Sequence, residues 1–241
     1  MNQVSLIISG KVTNASRHIK HLNNIKMMVF DMAGTTINEG GMVYTTLFKT
    51  LQTMNLDVRG QEIDSRWHGI NKYEVMDYYL YKTHGDNSYL YKDETYSLFT
   101  ENIINYYSNT DTISLMDDNI PDLFNNFRER NIKICLNTGY SCEIQELLIN
   151  KFNIRDFVDD CISSEDVSKG RPYPYMIHSL MERNGICNTK EVIKIGDTRN
   201  DMLEGINAGC HSAGVLSGVE TSEELYLNND VNIIDSVMHI K

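Results

Sequence analysis

Short apolar runs rich in β-branched residues, each followed by an amphipathic stretch, recur along this 241-residue chain and leave few architectures open to it. The runs lie at about 26–31, 132–137, 157–162, 191–196 and 211–216, with a further short one at 231–234. Between them, the segments at about 141–151, 174–184 and 199–208 have helical spacing, and Gly209 supplies a stop for the last. Strands that alternate with helices predict an α/β fold with a doubly wound, Rossmann-like parallel sheet. One interval breaks the rhythm. A crossover between parallel strands needs only a dozen or so residues, yet residues 32–131 separate the first two runs. Within that interval 42–54, 72–83 and 88–108 carry apolar and aromatic residues at helical spacing, broken at Gly69 and Gly85. The expected organisation is an N-terminal extension over 1–24, an α/β core from 25–40 and 118–241, and an inserted α-helical cap over 41–117. The tyrosines of the insert, among them Tyr73, Tyr78, Tyr79, Tyr96 and Tyr107, read as core and rim of a small helical unit rather than as a stacking surface.

Charge narrows the partners. A formal net charge of -11 argues against a nucleic-acid or anionic membrane surface, while a small phosphorylated substrate needs only a metal ion and one or two basic side chains. The five cysteines, Cys135, Cys142, Cys161, Cys187 and Cys210, form no C-x-x-C pair, which suits reduced thiols and a cytoplasmic setting. No apolar run approaches the ~20 residues of a membrane helix. Residues 1–25 carry Lys11, Arg17 and Lys20 and no acid, so an organellar transit peptide stays open beside the favoured reading of a plain extension. The sequence sets no oligomeric state; a homodimer through the cap is one arrangement it allows.

Asp31 ends the first run and is followed by Met32-Ala33-Gly34-Thr35-Thr36. A carboxylate at the carboxyl end of a strand, before a small turn with free amides and hydroxyls at Gly34 and Thr35, can attack a phosphoryl group held by that turn. Asp31 is therefore the candidate nucleophile. Magnesium takes hard oxygen ligands and keeps several waters, so Asp31 and Asp197 are candidate ligands, with Asp201 one helical turn past Asp197 to orient it or a metal-bound water. Thr138 and Gly139 end the second run, where a hydroxyl and amides can grip a phosphoryl oxygen. Arg171, next to the rigid Pro172-Tyr173-Pro174, is the candidate cation for the transferring group, and Lys169 reads as a solvated surface charge.

Four segments stand in order: Asp31-Met32-Ala33-Gly34-Thr35-Thr36, Leu136-Asn137-Thr138-Gly139, Gly170-Arg171-Pro172-Tyr173-Pro174, and Ile195 through Asp201. Together they resemble the signature of the haloacid dehalogenase superfamily, most of whose members move phosphoryl groups through an aspartyl-phosphate with magnesium. The resemblance implies that the backbone carbonyl of Ala33 is a further metal ligand and that Arg171 takes a place usually filled by lysine. In superfamily phosphatases a second Asp stands two residues after the nucleophile and protonates the leaving alkoxide. Here that position is Ala33, which donates no proton.

Trp67-His68-Gly69-Ile70-Asn71-Lys72 and Thr138-Gly139-Tyr140 sharpen the likeness toward the phosphonatase group. In that group a cap lysine forms a Schiff base with an aldehyde, so carbon leaves phosphorus as an enamine and no acid is needed at the Ala33 position. The resemblance places this role on Lys72, at the G-x-x-K spacing from Gly69, and puts Gly69, Tyr140 and His68 among the substrate-binding residues. His68 replaces a Met of the group, and Val75 replaces a His that assists imine formation; His68 is a stand-in base. The leading function is hydrolysis of a small phosphonate such as phosphonoacetaldehyde. The alternatives are a small-molecule phosphomonoester phosphatase and a non-catalytic binding protein on the same fold.

Overall fold

The structure is a computed structural model that describes residues 5–7, 21–227 and 231–241. Most of the expected extension therefore lies outside the described residues; of it, Ser5–Ile7 (β1) pairs antiparallel with His21–Asn23 (β2). The core is a parallel sheet of Met27–Asp31 (β3), Lys133–Thr138 (β6), Asp160–Ser163 (β7), Val192–Gly196 (β8), His211–Val215 (β9) and Val231–Ile234 (β10), in the order β10-β9-β8-β3-β6-β7. Burial on both faces explains why these strands read as continuous apolar runs: β3 and β8 are buried at every position. The chain builds outward from β3 through β6 to β7, then returns to the other side of β3 through β8. The carboxyl ends of β8, β3 and β6 thus meet where the direction of building reverses, the place where open α/β sheets hold their ligands.

Two short strands, Ile37–Asn38 (β4) and Ser114–Leu115 (β5), pair antiparallel where the chain leaves and rejoins the core. Between them lie three helices: Met42–Thr53 (α1), Lys72–His84 (α2) and Lys92–Asn109 (α3). Their inner faces follow the helical period: Val43, Leu47 and Leu51 from α1, Val75, Met76, Tyr79 and Leu80 from α2, and Phe99, Ile103 and Tyr107 from α3. The tyrosines divide as core and rim. Tyr79 and Tyr107 are buried, Tyr73 stacks on Tyr96, and Tyr78 and Tyr81 reach the surface. The helix expected from residue 88 begins instead at Lys92, after a 3₁₀ segment Gly85–Tyr91, whose Asp86, Asn87 and Ser88 are weak helix-interior residues.

The remaining helices are Ile120–Glu129 (α4), Cys142–Lys151 (α5), Tyr175–Arg183 (α6), Arg199–Asn207 (α7) and Ser222–Leu225 (α8). Helix α4 is absent from the sequence reading, although Pro121 in its first turn and buried Ile120, Phe124 and Phe127 carry the signal for it. Strand β7 starts three residues later than expected, because Arg155–Phe157 is a 3₁₀ turn and Asp159 spends its carboxylate on the backbone N–H of Ile134. No described helix is long and apolar enough to cross a membrane.

Candidate active site

Asp31 is the last residue of β3, in register with Asn137 of β6, and Phe30 pairs with Ile195 of β8. That register brings the residues after β8 beside Asp31. Ligand atoms of Asp31, Asp197 and Asp201 lie within 4.8 Å of one another, all three side chains buried. The turn after β3 wraps around Asp197: Thr35 Oγ1 donates to it at 3.1 Å, and the Val219 N–H donates from the opposite side at 3.1 Å. Gly34 must be glycine here, since its φ is 81° and a Cβ would fall 2.3 Å from an Asp197 oxygen. Asp201 caps its own helix, accepting from Thr198, which in turn accepts from the Asp201 N–H.

Arg171 is 2% exposed and organises the floor of the site. Its Nη2 meets Asp31 at 2.6 Å and donates to the Asn137 carbonyl and side chain at 3.0 and 2.8 Å. Nη1 pairs with Asp201 at 3.1 Å, and Nε donates to Glu204 at 3.1 Å. Every edge of the planar guanidinium is engaged, which an ammonium could not reproduce. Lys194, central in β8 and wholly buried, pairs with Asp201 at 2.8 Å and donates to Asn137 at 2.8 Å. Lys169, by contrast, lies over the Tyr173 ring away from this network.

The protonation pattern follows from this packing. Burial, reinforced by the charges of Asp31 and Asp201, pushes the Asp197 carboxyl well above the usual range. Burial also raises Asp31 against the pull of Arg171. Asp201 is the exception: burial opposes its charge, but Arg171 and Lys194 together hold its carboxyl below the usual range.

The insert supplies the roof. Asn71 caps α2 by accepting from the Tyr73 N–H at 2.8 Å, and its amide donates to Ser164 of the core at 2.8 Å. Lys72 is therefore the first residue of a helix, yet its side chain is only 5% exposed. A solvated ammonium at a helix start is thus not what the structure holds. Its Nζ donates to the Ile70 carbonyl at 2.7 Å and sits 5.0 Å from the centre of the Tyr44 ring. Burial, with Arg171 nearby, lowers the Lys72 pKa to about 8. The loop before it seats tightly on the core. A Cβ on Gly139 would lie 2.7 Å from the Gly69 carbonyl, and one on Gly69 would lie 2.4 Å from Thr198 Oγ1.

Asp31, Ala33, Gly69, Lys72, Thr138, Gly139, Tyr140 and Arg171 line one small cavity of about 20 Å³, together with Tyr44, which lies in none of the sequence motifs. His68 is not in that lining. Its ring packs on Tyr44, and Nδ1 faces Glu220 at 3.3 Å, so this nitrogen of the stand-in base read from the sequence is turned to Glu220. Gly34 and Thr35 serve Asp197 instead of the cavity.

The likenesses to known proteins agree with this geometry. The family model of haloacid dehalogenase-like hydrolases matches residues 28–215. Phosphonoacetaldehyde hydrolase of Bacillus cereus (strain B4264) is 37% identical over 122 residues, and the match takes in 50% of this chain and 45% of that protein. The chain thus spans about half the length of that relative. The protein of the same name from B. cereus (strain AH187) is 28% identical over 221 residues, 85% of this chain and 79% of the relative. Among solved structures, a phosphonoacetaldehyde hydrolase-like protein from Oleispira antarctica superposes with a TM-score of 0.70 at 20% identity, covering 93% of this chain and 92% of its own. CbbY from Rhodobacter sphaeroides, solved in complex with phosphate, gives 0.71 at 18% identity over 88% and 94%. At these identities the solved structures speak for the fold. The family match, over most of the chain, assigns the protein itself: it belongs to the haloacid dehalogenase-like hydrolases.

Proposed function

We propose that this chain is a magnesium-dependent hydrolase that cleaves the phosphorus–carbon bond of a small phosphonate aldehyde such as phosphonoacetaldehyde, with Asp31 as nucleophile and Lys72 as the amine that forms the imine. The observation that carries the reading is the pairing of a buried lysine of lowered pKa with a buried aspartate in one cavity whose wall has Ala33 where an acid would otherwise stand.

The donor set fits a divalent cation. Four buried carboxylates, Asp31, Asp197, Asp201 and Glu204, face two buried cations, Arg171 and Lys194. Ionised together they carry an excess of two negative charges, which one hard divalent ion balances. Asp31, Asp197 and the Ala33 carbonyl are the residues that would hold it, with Asp201 behind them. When bound, magnesium screens the repulsion between a carboxylate nucleophile and an anionic phosphoryl group.

The chain's own residues divide the rest of the work. Lys72 condenses with the aldehyde, and the resulting protonated imine is the electron sink. Asp31 then attacks phosphorus; the phosphorus–carbon bond breaks and its electron pair becomes the enamine. Thr138 and Arg171 hold the phosphoryl oxygens. A cavity with room for about one water admits no substrate while shut, so the helical insert acts as a cap that lifts for entry and closes to exclude water during transfer.

Borohydride added during turnover of phosphonoacetaldehyde is expected to leave a reduced adduct on Lys72, read by peptide mass spectrometry. Phosphate release from phosphonoacetaldehyde with Lys72 unmodified removes the imine step, and release from phosphomonoesters alone leaves the phosphatase reading.

A further inference from the structure

Val75 leaves the proposed imine step without a side-chain base, and His68 does not line the cavity, yet the structure contains a buried acid that no step so far uses. Glu39 stands between β4 and α1 and is 4% exposed. Its Oε2 accepts from the Val43 N–H at 2.8 Å and from the Tyr107 hydroxyl at 3.0 Å. The Tyr107 hydroxyl is in turn 2.7 Å from that of Tyr140, and Tyr140 lines the cavity beside Lys72. We propose that Glu39, acting through the hydroxyls of Tyr107 and Tyr140, is the proton store that serves Lys72 in imine formation.

The direction of the hydrogen bonds fits that role. With Glu39 ionised, Tyr107 spends its proton on the carboxylate, so Tyr140 must be the donor of the Tyr107–Tyr140 bond. A lone pair of the Tyr140 oxygen is then free to accept from the cavity. A proton leaving the Lys72 ammonium goes to Tyr140, the Tyr140 proton moves to Tyr107, and the Tyr107 proton moves to Glu39. The products are a neutral amine and a neutral carboxylic acid. The amine adds to the aldehyde carbon and its surplus proton passes to the new oxygen. Reversal of the relay then returns the stored proton to that hydroxyl, which leaves as water and gives the protonated imine with Glu39 ionised again. Protons balance over the step, and no outside acid or base is consumed.

Packing supports the exchange. Burial raises the Glu39 carboxyl while burial and Arg171 lower Lys72, so the two groups approach each other in proton affinity. The groups that face Glu39 are Lys72 from α2, Tyr44 from α1, Tyr107 from α3 and Tyr140 from the core. Because Tyr107 belongs to the insert and Tyr140 to the core, their hydroxyl–hydroxyl link holds only when the insert is shut. The store is thus connected only while water is excluded.

This inference rests on the imine reading, and the test separates the two. The rate of borohydride-trapped adduct formation on Lys72 is measured with phosphonoacetaldehyde and magnesium in the wild type, Glu39→Gln and Tyr107→Phe. A loss of about 10²-fold or more is expected in both variants, the scale of general acid–base assistance. The pH profile supplies a readout that mere loosening of the fold would not move. In the wild type the rate should fall on both sides of an optimum, limited by protonation of Glu39 below it and loss of the Lys72 proton above it. In Glu39→Gln it should rise with pH to a plateau, since only neutral Lys72 can then react. Wild-type rates in either variant, or an unchanged bell-shaped profile, overturn the relay; absence of any adduct in the wild type overturns the imine reading beneath it. If Glu39→Gln fails to fold, Tyr107→Phe, which removes one hydroxyl and keeps the ring, decides alone.

Discussion

The floor and the roof of the cavity are built on opposite principles. On the floor two buried cations are fixed by carboxylates and amides: Arg171 engages Asp31, Asp201 and Glu204, and Lys194 closes the circle through Asp201 and Asn137. On the roof Lys72 makes one hydrogen bond, to a backbone carbonyl, and faces an aromatic ring. Arg171 and Lys194 keep their charge and hold Asp201 ionised between them. A lone buried ammonium can lose its proton, and desolvation has already moved Lys72 toward doing so. In the proposed mechanism chemistry at phosphorus calls for fixed positive charge to meet an anion, while chemistry at carbon calls for a group that changes charge. The two halves of the cavity supply one each.

That contrast is sharpest in paired substitutions. Asp31→Asn is expected to lower phosphate release from phosphonoacetaldehyde and from p-nitrophenyl phosphate alike, by at least about 10⁴-fold, because both substrates lose the covalent acceptor. Lys72→Ala should lower the first by about 10³-fold, about 4 kcal/mol of barrier, and the second far less, since an aryl phosphate needs no electron sink. Steady-state phosphate assays on both substrates read the difference. Equal losses in Lys72→Ala would mean that floor and roof are one unit and that the contrast drawn above is false.

A smaller effect tests the floor by itself. Arg171→Lys keeps the charge but gives up the fork, so Glu204 loses its 3.1 Å partner inside the core. Breaking a buried pair costs about 3 kcal/mol, roughly 10 °C in Tm for a chain of this size. Adding Glu204→Gln to Arg171→Lys should recover part of that loss, because the uncompensated charge is gone. Thermal unfolding of the single and double variants measures it, and a Tm equal to wild type in Arg171→Lys would show that the fork is not what organises the floor.

The floor was also the more legible half, for a physical reason. Residues at the carboxyl ends of strands are fixed by register, so finding the runs that end at Asp31, Thr138 and Gly196 was enough to bring Asp31, Thr138 and Asp197 together. Lys194 carries a sequence signal of its own: a lysine amid Val192, Ile193 and Ile195, in a strand buried on both faces, must be paired. Glu39, Tyr44 and Tyr107 carry none. Their meeting depends on how three helices pack over the sheet, and the helical period of α1 and α3 fixes which face turns inward, not which residue it meets. His68 shows the same limit: it adjoins Gly69 in the chain, but its Nδ1 is turned to Glu220 by packing that no motif records. Helix α4, by contrast, carries its own sequence signal in Pro121 at its start and in buried Ile120, Phe124 and Phe127.

The smallest expected effect joins the two halves through pH. Asp31 and Asp197 both have carboxyl pKa values raised above the ordinary 3.8, Asp197 the further, because burial and neighbouring carboxylates oppose their charge. A raised folded pKa means that the folded state binds protons more tightly than the unfolded one. The stability linked to these two groups is therefore fully present below pH 3.8 and is lost as pH rises through their folded values. Asp201, held below 3.8 by Arg171 and Lys194, works the other way: its contribution is present above that value and fades as pH falls through its folded pKa. Across the window above 3.8 the metal-free protein should thus lose stability from Asp31 and Asp197 as they ionise, while Asp201 stays constant. A divalent cation held by the ionised pair removes the repulsion, so the rise in Tm on adding magnesium should grow with pH over the range in which Asp197 titrates and then level off. The gain is about 2.7 kcal/mol at an ion concentration 100 times Kd, roughly 5–10 °C in Tm. Differential scanning fluorimetry with and without magnesium across that range reads the slope. In Asp197→Asn the slope should flatten, whereas Lys72→Ala, on the roof, should leave it in place. A slope that vanished in Lys72→Ala instead would place the ion's charge compensation in the wrong half of the cavity.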